Sequence, residues 1–211
     1  MRRASATFTL IALALALAPS GCGGGESGSD GPVAGDSVEL EPTRGEVLVS
    51  EPDEETFVRL EEATVVPVGT EVDATRGAVR MTSETAQGGL QTGEFSRGGF
   101  EVAQERGSTQ VTLALRGGDF SKCRTEKAKR DRSTVGGPVI RKLFVDAEGE
   151  FRTRGRFAAA TIRGTRFSAV DACFGTLTDV TEGAVVVSDL AANRRIELSA
   201  GRRYWAAERR G

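Results

Sequence analysis

Short alternations of apolar with polar or small residues recur through most of the chain. Val111, Leu113 and Leu115 occupy every second position of one run, and Val185 and Val187 repeat this spacing in another. A two-residue period interrupted by glycine-rich turns is typical of β-strands. No stretch keeps a 3.6-residue period long enough to indicate a substantial helix. The sequence therefore predicts a mainly β fold of short antiparallel strands, and its 27 glycines suit a turn-rich protein of this class.

An arginine pattern accompanies two predicted strands in the second half of the chain. Apolar and polar residues also alternate in residues 139–145 and 151–156, and these two segments are predicted to form a hairpin. Three arginines would then share one face of its second strand: Arg152, Arg154 and Arg156. Such a face either binds an anion or is solvated beside neighbouring carboxylates, and both interpretations stay open from the residues alone.

One seven-residue segment is echoed later in the chain. Asp73–Val79 matches Asp179–Val185 at five of seven positions, and a Gly-Thr-charged-apolar tetrad precedes each copy. Duplication of a β unit would explain the match. Convergence of similar turn-strand units on similar residues would explain it equally well.

The first residues have the pattern of a secretory signal peptide. Met1-Arg2-Arg3 precedes an apolar run, Phe8–Ala18, which is shorter than the ~20 residues that a membrane-spanning helix needs. Ser20-Gly21-Cys22 follows, and small residues before a cysteine resemble the lipobox of a bacterial lipoprotein. The resemblance implies a signal peptide over residues 1–21 and a lipid on the Cys22 thiol. Ordinary signal cleavage, which would give a secreted protein, is the alternative.

A segment rich in Gly, Ser, Asp and Glu, residues 22–45, separates the signal from the predicted strands. It contains too few apolar residues to offset its ordering entropy, so it is predicted to be a flexible tether. Some 23 residues of this kind have an r.m.s. reach of about 25 Å. We predict that an N-terminal β subdomain (46–120), a basic loop (121–138) and a C-terminal β subdomain (139–211) follow the tether.

Three cysteines have to be placed. If Cys22 carries a lipid, Cys123 and Cys173 form an even pair in an oxidising compartment, which predicts a disulfide. Two thiols in a chain without histidine make a poor metal site, so no metal is expected. Closing a loop of about 50 residues would stabilise the fold by roughly 4 kcal/mol in the chain-entropy model.

Acidic and basic residues are unevenly distributed along the chain. Residues 22–104 contain 5 basic and 17 acidic side chains, net −12, whereas residues 105–211 contain 21 and 13, net +8. Six cations of the predicted basic loop lie close together: Lys122, Arg124, Lys127, Lys129, Arg130 and Arg132. Such a run is either a solvated loop or a patch that binds an anionic cell-wall polymer or lipid head groups. Nucleic acid is not an expected partner, because no aromatic residues interleave with the cations.

The absence of histidine from all 211 residues restricts the possible chemistry. It excludes Ser–His and Cys–His nucleophile pairs and histidine-ligated zinc. No phosphate-binding glycine motif occurs. A carbohydrate-active enzyme with paired carboxylates is formally possible, although one Trp and one Tyr offer few stacking platforms for a sugar. We therefore expect a protein that is not an enzyme and has no cofactor.

The C-terminal part of the chain resembles a known family. Within residues 157–205, the order of Gly164–Phe167, Val180–Val187 and Leu198–Gly201 is similar to that of the FecR-like domain, an extracytoplasmic β module. The resemblance implies a sheet or a rolled, solenoid-like stack of strands outside the cytoplasm. Because the best-known members are membrane-spanning regulators of a sigma factor, it also implies a possible regulatory role through a membrane partner.

These features together predict an extracytoplasmic, membrane-anchored module that binds, senses or scaffolds without catalysis. Its expected partners are the membrane, through the N-terminal lipid, and either an anionic cell-wall polymer or a membrane protein. A regulator of the FecR type is the first alternative, and a carbohydrate-active enzyme is the second.

Overall fold

The computed structural model describes residues 31–124 and 137–209, and this part of the chain is mainly β. A single short 3-10 helix, Phe120–Arg124, lies among thirteen strands in these ranges. The strands are β1 Ser37–Ser50, β2 Val58–Arg59, β3 Thr64–Pro67, β4 Glu71–Glu84, β5 Leu90–Ser96, β6 Gly99–Gln104, β7 Val111–Arg116, β8 Val139–Arg154, β9 Ala158–Ala172, β10 Gly175–Glu182, β11 Ala184–Asp189, β12 Arg194–Ser199 and β13 Arg203–Ala207. No helix within the described ranges has the length and apolarity to cross a membrane.

Strands β4 to β8 close into a five-stranded barrel. β4 pairs with β6 through Glu71–Asp73 and with β5 through Ala78–Glu84, so one long strand has two neighbours on the same side. β8 behaves similarly: Phe144–Glu148 pairs with β5, and Phe151–Arg154 runs parallel to β7. The β6–β7 hairpin completes the ring. Because each of these strands is paired on both sides, closure removes the sheet edges within the barrel.

Aromatic residues fill the interior of the barrel. The ring of Phe95 lies edge-on to Phe100 and to Phe151, with centroid distances of 5.6 and 5.5 Å. All three side chains are buried, together with Val111 and Leu113 of β7. Each edge-on pair contributes about 0.5–1.5 kcal/mol beyond the burial of its area. The apolar alternation in the sequence therefore marks the inward-facing positions of the barrel.

Two further groups of strands extend the barrel. β1 runs antiparallel along β4 and also pairs with β2 and β3. β9 runs antiparallel along the length of β8, and pairs with β11 through its first half and with β10 through its second half. β12 and β13 extend these two arms. The buried apolar residues form one core, so the two predicted β subdomains share it, and β8 of the C-terminal one closes the barrel.

The hairpin predicted within residues 139–156 is wrong. β8 is one continuous strand, and its register with β9 shifts between Ala147 and Glu150. Gly149 lies at this shift with a φ of 124°, where a Cβ atom would be 2.5 Å from the Oε1 atom of Gln91. A bulge bends a strand without reversing it. The bulge therefore lets β8 pair with β5 and then with β7 along a single edge.

The predicted tether extends too far towards the C-terminus. β1 begins at Ser37, and both Val38 and Leu40 are fully buried. β3 and β4 flank this segment on its two sides and supply its backbone hydrogen-bond partners. The segment is mostly polar, but it forms a strand because neighbouring strands bury its two apolar side chains and pair with its backbone.

The two copies of the sequence echo occupy different local structures. Asp73–Val79 lies inside β4, where that strand changes its partner from β6 to β5. Asp179–Val185 spans the end of β10, a turn at Gly183 and the start of β11. The first copy is therefore part of one continuous strand, whereas the second contains a turn between two strands. Both copies mark a point where the chain changes its neighbouring strand.

Candidate functional site

A cavity of about 460 Å³ opens where the β5–β6 turn, the end of β7 and the start of β8 come together. We call it the barrel-end cavity. Two carboxylates of β4, Glu71 and Asp73, line it, and Phe57 and Val139 add apolar surface. Four cations complete its charged lining: Arg97, Arg116, Arg141 and Lys142. Cations outnumber carboxylates in this lining, which suits a ligand that carries anionic groups.

The tripeptide Arg-Gly-Gly brings two of these arginines to the cavity. Arg97–Gly99 joins β5 to β6, Arg116–Gly118 follows β7, and the β6–β7 register places Gly99 opposite Arg116. Glycine is required at position 98, because a Cβ atom there would lie 1.7 Å from the carbonyl oxygen of Lys142. The cavity was not among the sites predicted from the sequence, although the repeated Arg-Gly-Gly tripeptide is a signal that could have identified it.

Carboxylates outside the cavity hold two of its four cations. Arg141 donates a hydrogen bond of 2.9 Å from its Nε atom to the Oδ2 atom of Asp171, which is fully buried. The Arg116 guanidinium makes an ion pair with Glu101 across the β6–β7 hairpin. These two arginines are therefore fixed in place and partly neutralised.

The other two cations contact an aromatic ring instead. The guanidinium of Arg97 lies 5.0 Å, and the ammonium of Lys142 5.9 Å, from the ring centroid of Phe144. A cation–π contact orients a charge without neutralising it. Within the described residues, neither side chain has an ion pair. Their charges are available to a ligand.

The predicted basic patch is only partly within the described residues. Lys122 and Arg124 are exposed in the 3-10 helix. Asp119 precedes this helix and accepts a hydrogen bond of 2.9 Å from the Ser121 N–H. Its hydrogen bonds with Ser121, followed by the charge of Lys122, lower the pKa of Asp119 below its ordinary value. Five predicted site residues lie outside the described residues: Cys22, Lys127, Lys129, Arg130 and Arg132.

Cys123 and Cys173 are paired in a disulfide, as the sequence predicts, with their Cα atoms 5.2 Å apart. Cys173 is buried in the turn after β9, whereas Cys123 belongs to the 3-10 helix. Phe120, at the start of this helix, contacts two guanidiniums, those of Arg141 and Arg156, each 5.1 Å from its ring centroid. The bridge and this stack together hold the start of the basic loop beside the barrel-end cavity.

The three arginines predicted to share one face separate into two groups. Arg152 and Arg154 line a groove on the outer surface of β6, β7 and β8. Arg156 lies beyond the end of β8, where its guanidinium stacks on Phe120 and on Phe157. The prediction is therefore correct for the pair on β8 and wrong for Arg156, because the strand ends before that residue.

Comparisons of this chain with protein-family models, with curated proteins and with solved structures find no match. In the described ranges, no group of three or more Cys, Asp or Glu side chains is arranged to hold a metal ion. The function is therefore inferred from the residues of the chain and their arrangement.

Proposed function

We propose that this protein is a non-catalytic binding module of the cell envelope, exported and anchored through a lipid on Cys22, and that its ligand is an anionic cell-wall polymer. The observation that carries the proposal is the barrel-end cavity, where four cations from three separate turns and strand ends converge. Its four cations outnumber its two carboxylates, so the lining carries a net positive charge that attracts an anion.

The state of the individual cations supports binding rather than a purely structural role. Arg116 and Arg141 hold the walls through their carboxylate partners. The ring of Phe144, which does not itself line the cavity, holds the charged groups of Arg97 and Lys142, and neither has an ion pair in the described part of the chain. A charged group that is already oriented loses less conformational entropy when an anion binds.

Two further cations follow the cavity lining closely in the chain. Gly118 lines the cavity, and the exposed cations Lys122 and Arg124 follow it within six residues in the chain. Several cations along one surface favour a ligand with repeated anionic groups over a single small anion. An extracytoplasmic location is supported by the signal-like N-terminus and by the Cys123–Cys173 bridge, since disulfides persist in oxidising compartments.

Cosedimentation of the mature protein with cell walls purified from the native cells tests the proposal. We expect binding to weaken steeply as salt rises, because screening shortens to ~8 Å at 0.15 M ionic strength. The double variant Arg97→Gln/Lys142→Gln should bind at least about 10-fold more weakly. Arg195→Gln/Arg202→Gln is the matched control, since it removes two exposed charges that do not line the cavity. Equal binding by both variants would refute the role of the cavity.

Crosslinking on intact cells separates this function from that of a FecR-type regulator. A binding module should crosslink mainly to the wall polymer. Reproducible capture of one membrane protein, together with unaltered wall binding by Arg97→Gln/Lys142→Gln, would favour the regulator instead.

A further inference from the structure

A second cationic site lies on the outer surface of the barrel. A groove of about 710 Å³ runs over β6, β7 and the last part of β8, and we call it the β6–β8 groove. Arg152 and Arg154 contribute its cations, and Glu101 and Glu105 its carboxylates. None of these four residues lines the barrel-end cavity, so the groove is a separate site.

Strand register explains why the two arginines lie together in the groove. β7 and β8 are parallel, with Thr112 opposite Arg152 and Ala114 opposite Arg154. The intervening Thr153 is buried on the other face of β8. Short side chains on β7 beside two long arginines leave a depression along the strand pair. The guanidiniums form one wall of this depression.

Arg152 is the only residue in the described ranges with a buried side-chain nitrogen or oxygen that lacks a partner, namely its Nε atom. A buried N–H group without an acceptor is unfavourable, and more so on a charged side chain. Neither Arg152 nor Arg154 makes an ion pair within the described residues. An anionic acceptor in the groove would satisfy this donor and both charges.

The other polar side chains of the groove either have hydrogen-bond or ion-pair partners already or are negatively charged. Glu101 is paired with Arg116. Among the described residues, Glu105 is therefore the one carboxylate of the groove without an ion pair. The Gln104 amide donates to the carbonyl oxygens of Glu84 and Ser108, so it is occupied in holding the neighbouring loop. Among the described residues, the groove therefore has two guanidiniums and one carboxylate without an ion pair, which gives it a net positive charge.

We propose that Arg152 and Arg154 bind one oxyanion, a phosphate or a carboxylate, of an extended ligand. A guanidinium offers a planar fork of N–H donors that matches both groups. The proposal extends the proposed function, since one polymer could contact the barrel-end cavity and the β6–β8 groove together. It also stands without that function, because the unpaired Nε atom of Arg152 belongs to the groove alone.

The test uses two defined probes on the mature, disulfide-bonded protein: a short oligogalacturonate, which carries carboxylates, and a short poly(glycerol phosphate), which carries phosphodiesters. Isothermal titration should give at least about 10-fold weaker binding of one or both probes to Arg152→Gln/Arg154→Gln. Arg152→Lys/Arg154→Lys keeps the positive charges but loses the planar fork of guanidinium donors. Its affinity for the probes should therefore lie between that of the wild-type protein and that of Arg152→Gln/Arg154→Gln. The probe with the larger loss identifies the anion.

Two further measurements test whether the anion binds in the groove itself. Each probe should protect Arg154 from phenylglyoxal, as read by mass spectrometry, and this protection should persist in Arg97→Gln/Lys142→Gln. Persistence supports the groove even if the proposed role of the cavity fails. Unchanged affinity of a folded Arg152→Gln/Arg154→Gln variant for both probes would overturn the proposal. Glu105→Gln should strengthen binding, and a weakening would also contradict it.

Discussion

The backbone N–H of Arg156 lies 3.0 Å from both carboxylate oxygens of Asp171, fifteen residues further along the chain. Arg156 belongs to the turn between β8 and β9, and Asp171 lies near the far end of β9. This contact brings the tip of a long hairpin to its own base, so the hairpin is strongly coiled. Arg141 and Thr176 donate to the same buried carboxylate. Asp171 is therefore the point at which four segments of the chain are joined.

Asp171→Asn should lower the free energy of unfolding by about 3–5 kcal/mol, because it removes one member of a buried ion pair and leaves Arg141 without its partner. Urea denaturation monitored by circular dichroism measures the loss. Asp179→Asn is the control, since its ion pair with Arg203 is long, at 3.7 Å, and largely exposed. The control substitution should lower the free energy of unfolding by less than about 1 kcal/mol. Equal losses would contradict the anchoring role of Asp171.

Cys173→Ser should lower the free energy of unfolding by about 2–5 kcal/mol, because the bridge closes a loop with a sequence separation of 50. The variant should expose Cys123 to alkylation in the native state. In the unreduced wild-type protein, neither Cys123 nor Cys173 should react with a thiol reagent even after denaturation. Reaction at both positions would show that the bridge is absent.

Gly98→Ala should be strongly destabilising, by about 3 kcal/mol, because the new methyl group would meet the backbone of β8 rather than a movable side chain. Thermal and urea unfolding would both report the change. Gly31→Ala is a suitable control, since no atom lies within 4 Å of the added Cβ. Its effect should stay within about 0.5 kcal/mol. A wild-type stability for Gly98→Ala would contradict the close approach of the β5–β6 turn to β8.

The pKa of Tyr204 is raised above its ordinary value of 10.0, first by burial and then by the hydrogen bond that its hydroxyl donates to Asp189 at 2.7 Å. A raised pKa in the folded state means that this group's contribution to stability is complete below pH 10.0 and is lost as the pH rises through the folded value. Tyr204→Phe should remove this alkaline loss. Because Tyr204 is the one tyrosine of the chain, its phenolate absorbance follows the titration directly. A midpoint at or below 10.0 in the folded protein would contradict the assignment.

The proposed lipid anchor is tested at Cys22, the cysteine of the lipobox-like sequence. Mass spectrometry of the mature N-terminus should find a lipid-modified Cys22, and Cys22→Ser should release the protein into the medium. An unmodified N-terminus at another residue would instead support the secreted alternative.

Local sequence patterns identified many of the strands and much of the core. The alternation of Val111, Leu113 and Leu115 identifies the inward face of β7, because side chains of a strand alternate regardless of which strands lie beside it. The pairing of Cys123 with Cys173 was also predicted from the sequence, on the hypothesis that Cys22 carries a lipid and that the chain is exported to an oxidising compartment.

The tertiary structure alone decided where the chain turns and which charges meet. Gly149 looks like a turn residue in the sequence, yet it forms a bulge because β9 pairs with β8 on both sides of it. Arg97 and Arg116 lie nineteen positions apart and share a cavity because the β6–β7 register sets Gly99 opposite Arg116. Strand register depends on interactions between distant segments, and no local pattern specifies it. The alternation determined which residues face inward, and closure of the barrel determined which outward-facing residues form a site.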